Sequence, residues 1–169
     1  MPNLPLILDY ANLFCGSAPQ DEAASNHLVL SEVKLPGWEQ QYVDHRPGGA
    51  PVAVEIDVIM TRLECEFTLV GLTPQVMLTL RAWEPQKNDF YIYGNARSYL
   101  DDFETGRCEA FQVAARLRGQ LSHVDPQPFR RGDLFHIRYA IRGITFYELE
   151  MAEQPIYSWD FFANELRIG

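Results

Sequence analysis

Few side chains could support acid–base or nucleophilic chemistry, and their spacing matches no known catalytic or metal-binding motif. The chain has four histidines, and none has the spacing of a paired-histidine metal site. A carboxylate lies near a histidine in Asp44-His45 and in His123-Val124-Asp125, but such neighbours are common by chance in loops. The sequence contains no nucleophile elbow, dinucleotide fingerprint or phosphate-binding loop. We therefore predict that the protein is not an enzyme.

The cysteines give no sign of a metal site or a disulfide framework. Cys15, Cys65 and Cys108 are odd in number and include no closely spaced pair. Cys65 lies in an apolar alternation and is predicted to be a small core residue. We expect no metal and no cofactor, and maturation in a reducing cytoplasm.

The charge of the chain is acidic and unevenly distributed. The net charge is −9, which makes the protein a poor candidate for gripping a phosphate backbone. Up to Leu69 there are 10 acidic and 3 basic residues (−7), and from Val70 onward there are 13 acidic and 11 basic residues (−2). Two interpretations remain open. The asymmetry is a chance fluctuation, or it marks two dissimilar surfaces that meet head to tail.

The elements that must position these residues are mainly strands. Strict alternation over residues 52–60 and 63–69 predicts a β-hairpin that turns at Thr61-Arg62. Its polar face would carry four carboxylates: Glu55, Asp57, Glu64 and Glu66. Asp57 and Glu66 would lie directly opposite each other, and like charges in that position destabilise a strand pair. The row is either an ordinary solvated face or an acidic wall that repels a polyanion.

The remaining elements predict one mostly-β domain over residues 1–169. Further alternation predicts strands at residues 111–118, 135–141 and 144–149. A plausible N-cap, a proline in the first turn and an apolar stripe predict one helix over about residues 73–84. The expected fold is a β-barrel or two packed antiparallel sheets with this one short helix. No segment has the length of a membrane span, so we expect no membrane insertion.

Two long segments fit neither a strand nor a helix. Residues 37–50 are polar and rich in Gly and Pro, and residues 154–169 follow the last predicted strand and are rich in aromatic side chains. Long irregular segments in a compact domain are often functional. We expect the C-terminal segment to be an arm that docks on its own domain or on a neighbour.

Several short motifs, distributed over nearly the whole chain, follow one another in a characteristic order. They include Asn12-Leu13-Phe14 with Gly16, Leu35-Pro36, Gly48-Gly49, Phe90 to Gly94, Leu117-Arg118-Gly119, Arg142-Gly143 and the ending Arg167-Ile168-Gly169. Their order and spacing resemble the major tail tube family of contractile-tailed bacteriophages and phage-tail-like bacteriocins. Two departures are present. The family's Asp-x-x-Asn after the last strand is absent from residues 150–157, and Ala50 stands where a Met often follows the paired glycines.

The resemblance implies a structural subunit of a virion tail, assembled in the host cytoplasm. Six copies would form a ring, and the rings would stack into a hollow tube. The implied partners are the tail sheath protein outside, the tape measure protein and then DNA in the lumen, and the baseplate hub and tail terminator proteins. DNA would pass without specific binding. The candidates for the lumen wall are Glu55, Asp57, Glu64 and Glu66. Residues 37–50 would be a long loop between subunits that stacks the rings, and residues 154–169 would be a C-terminal arm that touches a neighbouring subunit. The candidates for contacts between subunits or rings are Trp38, Tyr42, Arg46, Trp159, Phe161, Phe162 and Arg167.

Two rival functions remain open. The inner tube of a type VI secretion system would share the fold and the ring but would export effectors, and it need not have an acidic lumen. A monomeric barrel that holds a small apolar ligand is a further alternative, because a closed barrel can enclose a cavity.

Overall fold

The computed structural model describes residues 6–16, 25–49, 51–71, 73–79, 87–98, 110–128 and 130–169. These residues form ten strands and one short helix. In chain order they are β1 (Leu6–Cys15), β2 (Leu30–Lys34), β3 (Gln40–His45), β4 (Val54–Met60), β5 (Cys65–Val70), α1 (Pro74–Thr79), β6 (Asn88–Ser98), β7 (Ala110–Pro126), β8 (His136–Met151), β9 (Gln154–Asp160) and β10 (Glu165–Ile168).

The predicted fold class is confirmed, because the chain is mostly β and its two sheets are antiparallel. The helix predicted over about residues 73–84 is present at α1, and residues 80–84 lie outside the described part. No closed barrel forms among the described strands. Within the same residues, no helix is long and apolar enough to cross a lipid bilayer.

The main sheet divides into two halves because β7 and β8 are long enough to belong to both. The first part of β7 pairs with β6, while residues 120–126 pair only with β8. The first part of β8 pairs with β5, and its last part pairs with β9. We call β2, β5, the start of β8 and residues 120–126 the four-stranded half. We call β1, β6, the start of β7, the end of β8, β9 and β10 the six-stranded half.

The strands change direction where two glycines interrupt β7 and β8. A Cβ atom on Gly119 would lie 2.7 Å from Cγ2 of Ile141 and 3.1 Å from the carbonyl oxygen of Arg142. Gly143 has a φ of 60°, a left-handed conformation that favours glycine. The β7–β8 register shifts between Arg118 and Gln120. The missing side chain and the bulge let the two long strands turn together from one half into the other.

One hydrophobic core joins the inner faces of the two halves. The four-stranded half contributes Cys65, Phe67 and Tyr139, and the six-stranded half contributes Phe90 and Tyr147; all are buried. Phe67 and Tyr139 stack with ring centroids 5.0 Å apart. The space between the halves is therefore filled by side chains, which does not favour the ligand-holding barrel.

The predicted hairpin of residues 52–60 and 63–69 is wrong. The strand β4 pairs with β3 in a separate two-stranded sheet, while β5 pairs with β2 and β8 in the main sheet. The alternation correctly predicts two strands, but β4 and β5 pair with different strands and not with each other. Residues 37–50, expected to be irregular, contain β3. Residues 154–169 likewise form β9 and β10, which extend the six-stranded half, so this C-terminal segment docks on its own domain.

Candidate assembly surfaces

The described residues contain no arrangement suited to catalysis or to metal binding. No group of His, Cys, Asp and Glu among them could hold a metal ion. His45 is exposed on β3, and His123 is exposed on β7. Burial raises the pKa of both Cys15 and Cys65 to about 12, so neither thiol is ionised near neutral pH. Cys108 lies outside the described residues.

The most distinctive surface is the two-stranded sheet formed by β3 and β4, which we call the arm. Every residue of both strands is exposed. The arm leaves the four-stranded half after β2 and returns to it before β5. At its base, the backbone N–H and the hydroxyl of Thr61 both donate hydrogen bonds to the carbonyl oxygen of Glu39, at 2.7 and 3.0 Å. These bonds fix the base, and beyond it the two strands pack mainly against each other among the residues that the structure describes.

One face of the arm is apolar. The strand register places Val43 directly opposite Ile56, and His45 opposite Val54. Since directly opposite residues point to the same side of a sheet, these side chains form one row. Val43, Val54 and Ile56 are all exposed, although apolar residues of this kind are usually buried. No element in the described part of the chain covers this face.

The other face of the arm is acidic. Asp44 lies directly opposite Glu55, and Tyr42 lies opposite Asp57. The amide of Gln40 donates a hydrogen bond of 2.9 Å to a carboxylate oxygen of Asp57. The predicted acidic row therefore exists in a different form. Two of its four residues, Glu55 and Asp57, lie on the arm, and Asp44 joins them. The alternation pattern does not mark Asp44 as part of a strand, because residues 37–50 are polar and rich in Gly and Pro.

The other two acidic candidates, Glu64 and Glu66, lie on the outward face of the four-stranded half. Nε of Arg142 lies 2.7 Å from a carboxylate oxygen of Glu64. Glu66 is paired in register with Lys34 on the neighbouring strand. Basic side chains therefore offset these carboxylates, and the predicted opposition of Asp57 to Glu66 does not occur.

Of the contact candidates near the C-terminus, some lie against their own domain and others are exposed. The Trp38 ring makes edge contacts with Tyr157 and Trp159, at centroid distances of 5.8 and 6.4 Å. These contacts tie the base of the arm to β9. Phe161 and Phe162 are exposed beyond β9, with centroids 5.5 Å apart.

The remaining contact candidates are polar or amphipathic and exposed. Arg167 is exposed, and its Nε lies 2.8 Å from a carboxylate oxygen of Glu165. Tyr42 and Arg46 lie on the arm and at the loop that joins its strands. The candidates are thus distributed over two surfaces, the arm and the C-terminal edge.

The four-stranded half ends in two unpaired edges. Among the described residues, β2 pairs only with β5 along its length, and residues 120–126 of β7 pair only with β8. An open strand edge presents free N–H and C=O groups to any further strand. A sheet with one open edge on each side can be continued in both directions by copies of itself.

Comparison with known proteins shows the family to which this chain belongs. The family model for phage tail tube protein FII matches residues 8–169 of the chain. A solved cryo-EM structure of an extracellular contractile injection system, the PVC sheath/tube terminator in its extended state, has a similar fold with a TM-score of 0.55. The two chains are 7% identical, and the match covers 89% of this chain and 99% of the other. The curated protein sequences contain no match. The chain belongs to the phage tail tube protein FII family, and its role is that of a structural subunit rather than an enzyme.

Proposed function

We propose that six copies of this chain form a ring, and that the rings stack into the hollow tube of a contractile phage tail. The observation that carries the proposal is the arm, whose two strands are exposed on both faces. A two-stranded sheet standing in water is marginally stable at best. An arm of this kind gains its stability when other subunits cover it.

Lateral association would use the two open edges of the four-stranded half. The edge of β2 in one subunit would pair with residues 120–126 in its neighbour. Backbone hydrogen bonds between these edges would continue the sheet around the ring and leave the four-stranded halves without an exposed edge. The closed ring would then have the outward faces of the four-stranded halves on one side.

This outward face is our proposed wall of the channel. It carries Glu64 and Glu66 next to Arg142 and Lys34, so it is polar and its charges are close to balance. A surface without a strong excess of positive charge would not hold the phosphate backbone. DNA would pass after the tape measure protein has left, without specific binding. Glu55 and Asp57 were also candidates for this wall, but they lie on the arm, and we assign them to a contact between subunits, argued below.

The remaining assembly partners would meet other surfaces. The exposed pair Phe161 and Phe162 and the C-terminal Arg167 are proposed contacts with neighbouring subunits. The tail sheath protein would pack outside the tube, and the baseplate hub and tail terminator proteins would bind its two ends. We place assembly in the host cytoplasm and the finished protein in the virion tail.

Electron microscopy of the purified protein tests this proposal. Rings or tubes with an open channel are the expected result. A strictly monomeric species at high concentration would overturn it.

A second candidate is the inner tube of a particle that delivers proteins rather than DNA. The similarity to the terminator of an extracellular contractile injection system favours it. Particles purified from the producing cells separate the two functions. Encapsidated DNA attached to the tails supports the phage tail, and headless particles that carry protein cargo support the injection particle.

A further inference from the structure

The two ends of the four-stranded half carry opposite chemical features. The arm leaves from the end where β2 finishes at Lys34 and β5 starts at Cys65. The connection between β7 and β8 lies at the other end, because Pro126 pairs with Ile137, and Ile137 pairs with Leu69 near the end of β5. The length of β5, about 20 Å, separates the two ends.

The connection between β7 and β8 presents a defined cationic turn. The backbone N–H of Asp133 donates a hydrogen bond of 3.2 Å to the carbonyl oxygen of Arg130, which closes a four-residue β-turn. Gly132 occupies its third position with a φ of 93°, which favours glycine. We call these four residues, 130–133, the arginine turn. Its two arginines and one aspartate give it a net positive charge.

The arginines of this turn are exposed on the surface of the subunit. Arg130 and Arg131 are exposed, and neither guanidinium has an ion-pair partner among the described residues. Leu134, next to the turn, is also exposed. The turn therefore combines two bidentate donors with an apolar side chain, a combination common in protein interfaces.

The arm has the complementary chemistry at the opposite end. Its acidic face places Asp44 directly across from Glu55, with Asp57 next along the strand. The first two carboxylates repel each other in the free subunit. Two arginines placed over this row would replace repulsion with charge-assisted hydrogen bonds.

We propose that the acidic face of the arm in one subunit docks on the arginine turn of a second copy in the next ring. This inference rests on the proposed function, because it requires rings that stack. Since the two surfaces lie at opposite ends of one subunit, their contact is head to tail and repeats without limit. The contact gives all rings the same polarity. It also pairs the positive charge of the arginine turn with the arm, which lies in the acidic N-terminal part of the other chain.

Charge reversal tests the contact. In one variant Arg130 and Arg131 both become Glu, and in the other Asp44→Lys is combined with Glu55→Lys. Each variant alone brings like charges together, so we expect isolated rings and a loss of tubes in electron micrographs. Mixing rings of the two variants restores opposite charges wherever a ring of one variant meets a ring of the other, so we expect tubes of alternating rings to appear. As a control, Glu153→Lys reverses an exposed charge in the turn between β8 and β9, outside both surfaces, and should leave tubes intact.

The outcomes separate this contact from the tube function itself. If the unaltered protein forms neither rings nor tubes, the proposed function fails. If the unaltered protein forms tubes and the two charge-reversed variants form them equally well, the contact is refuted and the tube function stands. Rings lost together with tubes in both variants would also refute it, because the contact would then act within a ring. Circular dichroism of each variant identifies a folding defect. If one variant is misfolded, the other variant tests the contact alone: loss of its tubes with its rings intact supports the contact, and tubes equal to those of the unaltered protein refute it.

Discussion

Replacing the apolar face of the arm should weaken assembly strongly and leave the subunit fold intact. The change is Val43→Thr, Val54→Thr and Ile56→Thr, which keeps β-branched side chains that suit strands. In the subunit these side chains are 56%, 60% and 47% exposed, so roughly half of each remains to be buried by a neighbour. Full burial of such a side chain stabilises by about 1.5–3 kcal/mol. Burial of the remaining half of all three therefore contributes roughly 2–4 kcal/mol for each arm.

That free energy sets the size of the effect. A tenfold change in association corresponds to about 1.4 kcal/mol, so the concentration needed for tube assembly should rise roughly 30- to 1,000-fold. Light scattering over a dilution series measures this concentration, and electron microscopy identifies the product. Leu28→Thr is the matched control, because Leu28 is 86% exposed but lies outside the arm. Assembly of the triple variant at the same concentration as the unaltered protein would refute the role of this face.

Three further predictions concern the subunit itself. Gly119→Ala should lower the free energy of unfolding by about 1–3 kcal/mol, because its Cβ would lie 2.7 Å from Cγ2 of Ile141; thermal unfolding measures this, and an unchanged melting temperature would contradict the tight packing of the two long strands. Asn26→Ala should destabilise by roughly 1–3 kcal/mol, because the Asn26 amide donates a buried hydrogen bond of 2.8 Å to the carbonyl oxygen of Leu13; denaturant titration tests it, and the exposed variant Gln41→Ala serves as the control. Alkaline pH should weaken the fold, because burial raises the pKa of Cys15 and Cys65 from 9.0 to about 12. The unfolded chain therefore releases these protons at a lower pH than the folded chain does. The stability gained from keeping the thiols neutral is complete below pH 9 and is lost as the pH rises toward 12. Unfolding midpoints that stay constant over that window would contradict this burial.

The sequence predicts strands well where one face is buried. The alternation of Cys65, Phe67 and Leu69 marks β5, and the structure buries all three. Proline and the apolar stripe likewise predict α1. These patterns are local, and each follows from the period of a single element.

The choice of strand partner is not local, and here the prediction failed. The strand β4 has the same alternation as β5, and nothing in residues 52–69 distinguishes a hairpin from two strands in different sheets. The polar segment before β4 hid its true partner, because β3 has no buried residue and therefore no clear apolar row. An assembly surface is exposed in the subunit, so its pattern is set by neighbours that the single chain does not contain.

The same reason explains the mixed result for the candidate residues. Trp38 and Trp159 were contact candidates implied by the family resemblance, and they pack against each other within the subunit. Arg130 and Arg131 were not among the contact candidates. Their importance depends on the arm at the opposite end of the sheet, and this relation becomes visible only when the strand order is known.

A cryo-EM reconstruction of the tube formed by the purified protein tests the central claim most directly. We expect six subunits in each ring, β2 paired with residues 120–126 of the neighbouring subunit, and Glu64 and Glu66 on the wall of an open channel. A reconstruction in which these two edges stay unpaired, or in which the outward face of the four-stranded half points away from the channel, would contradict the account.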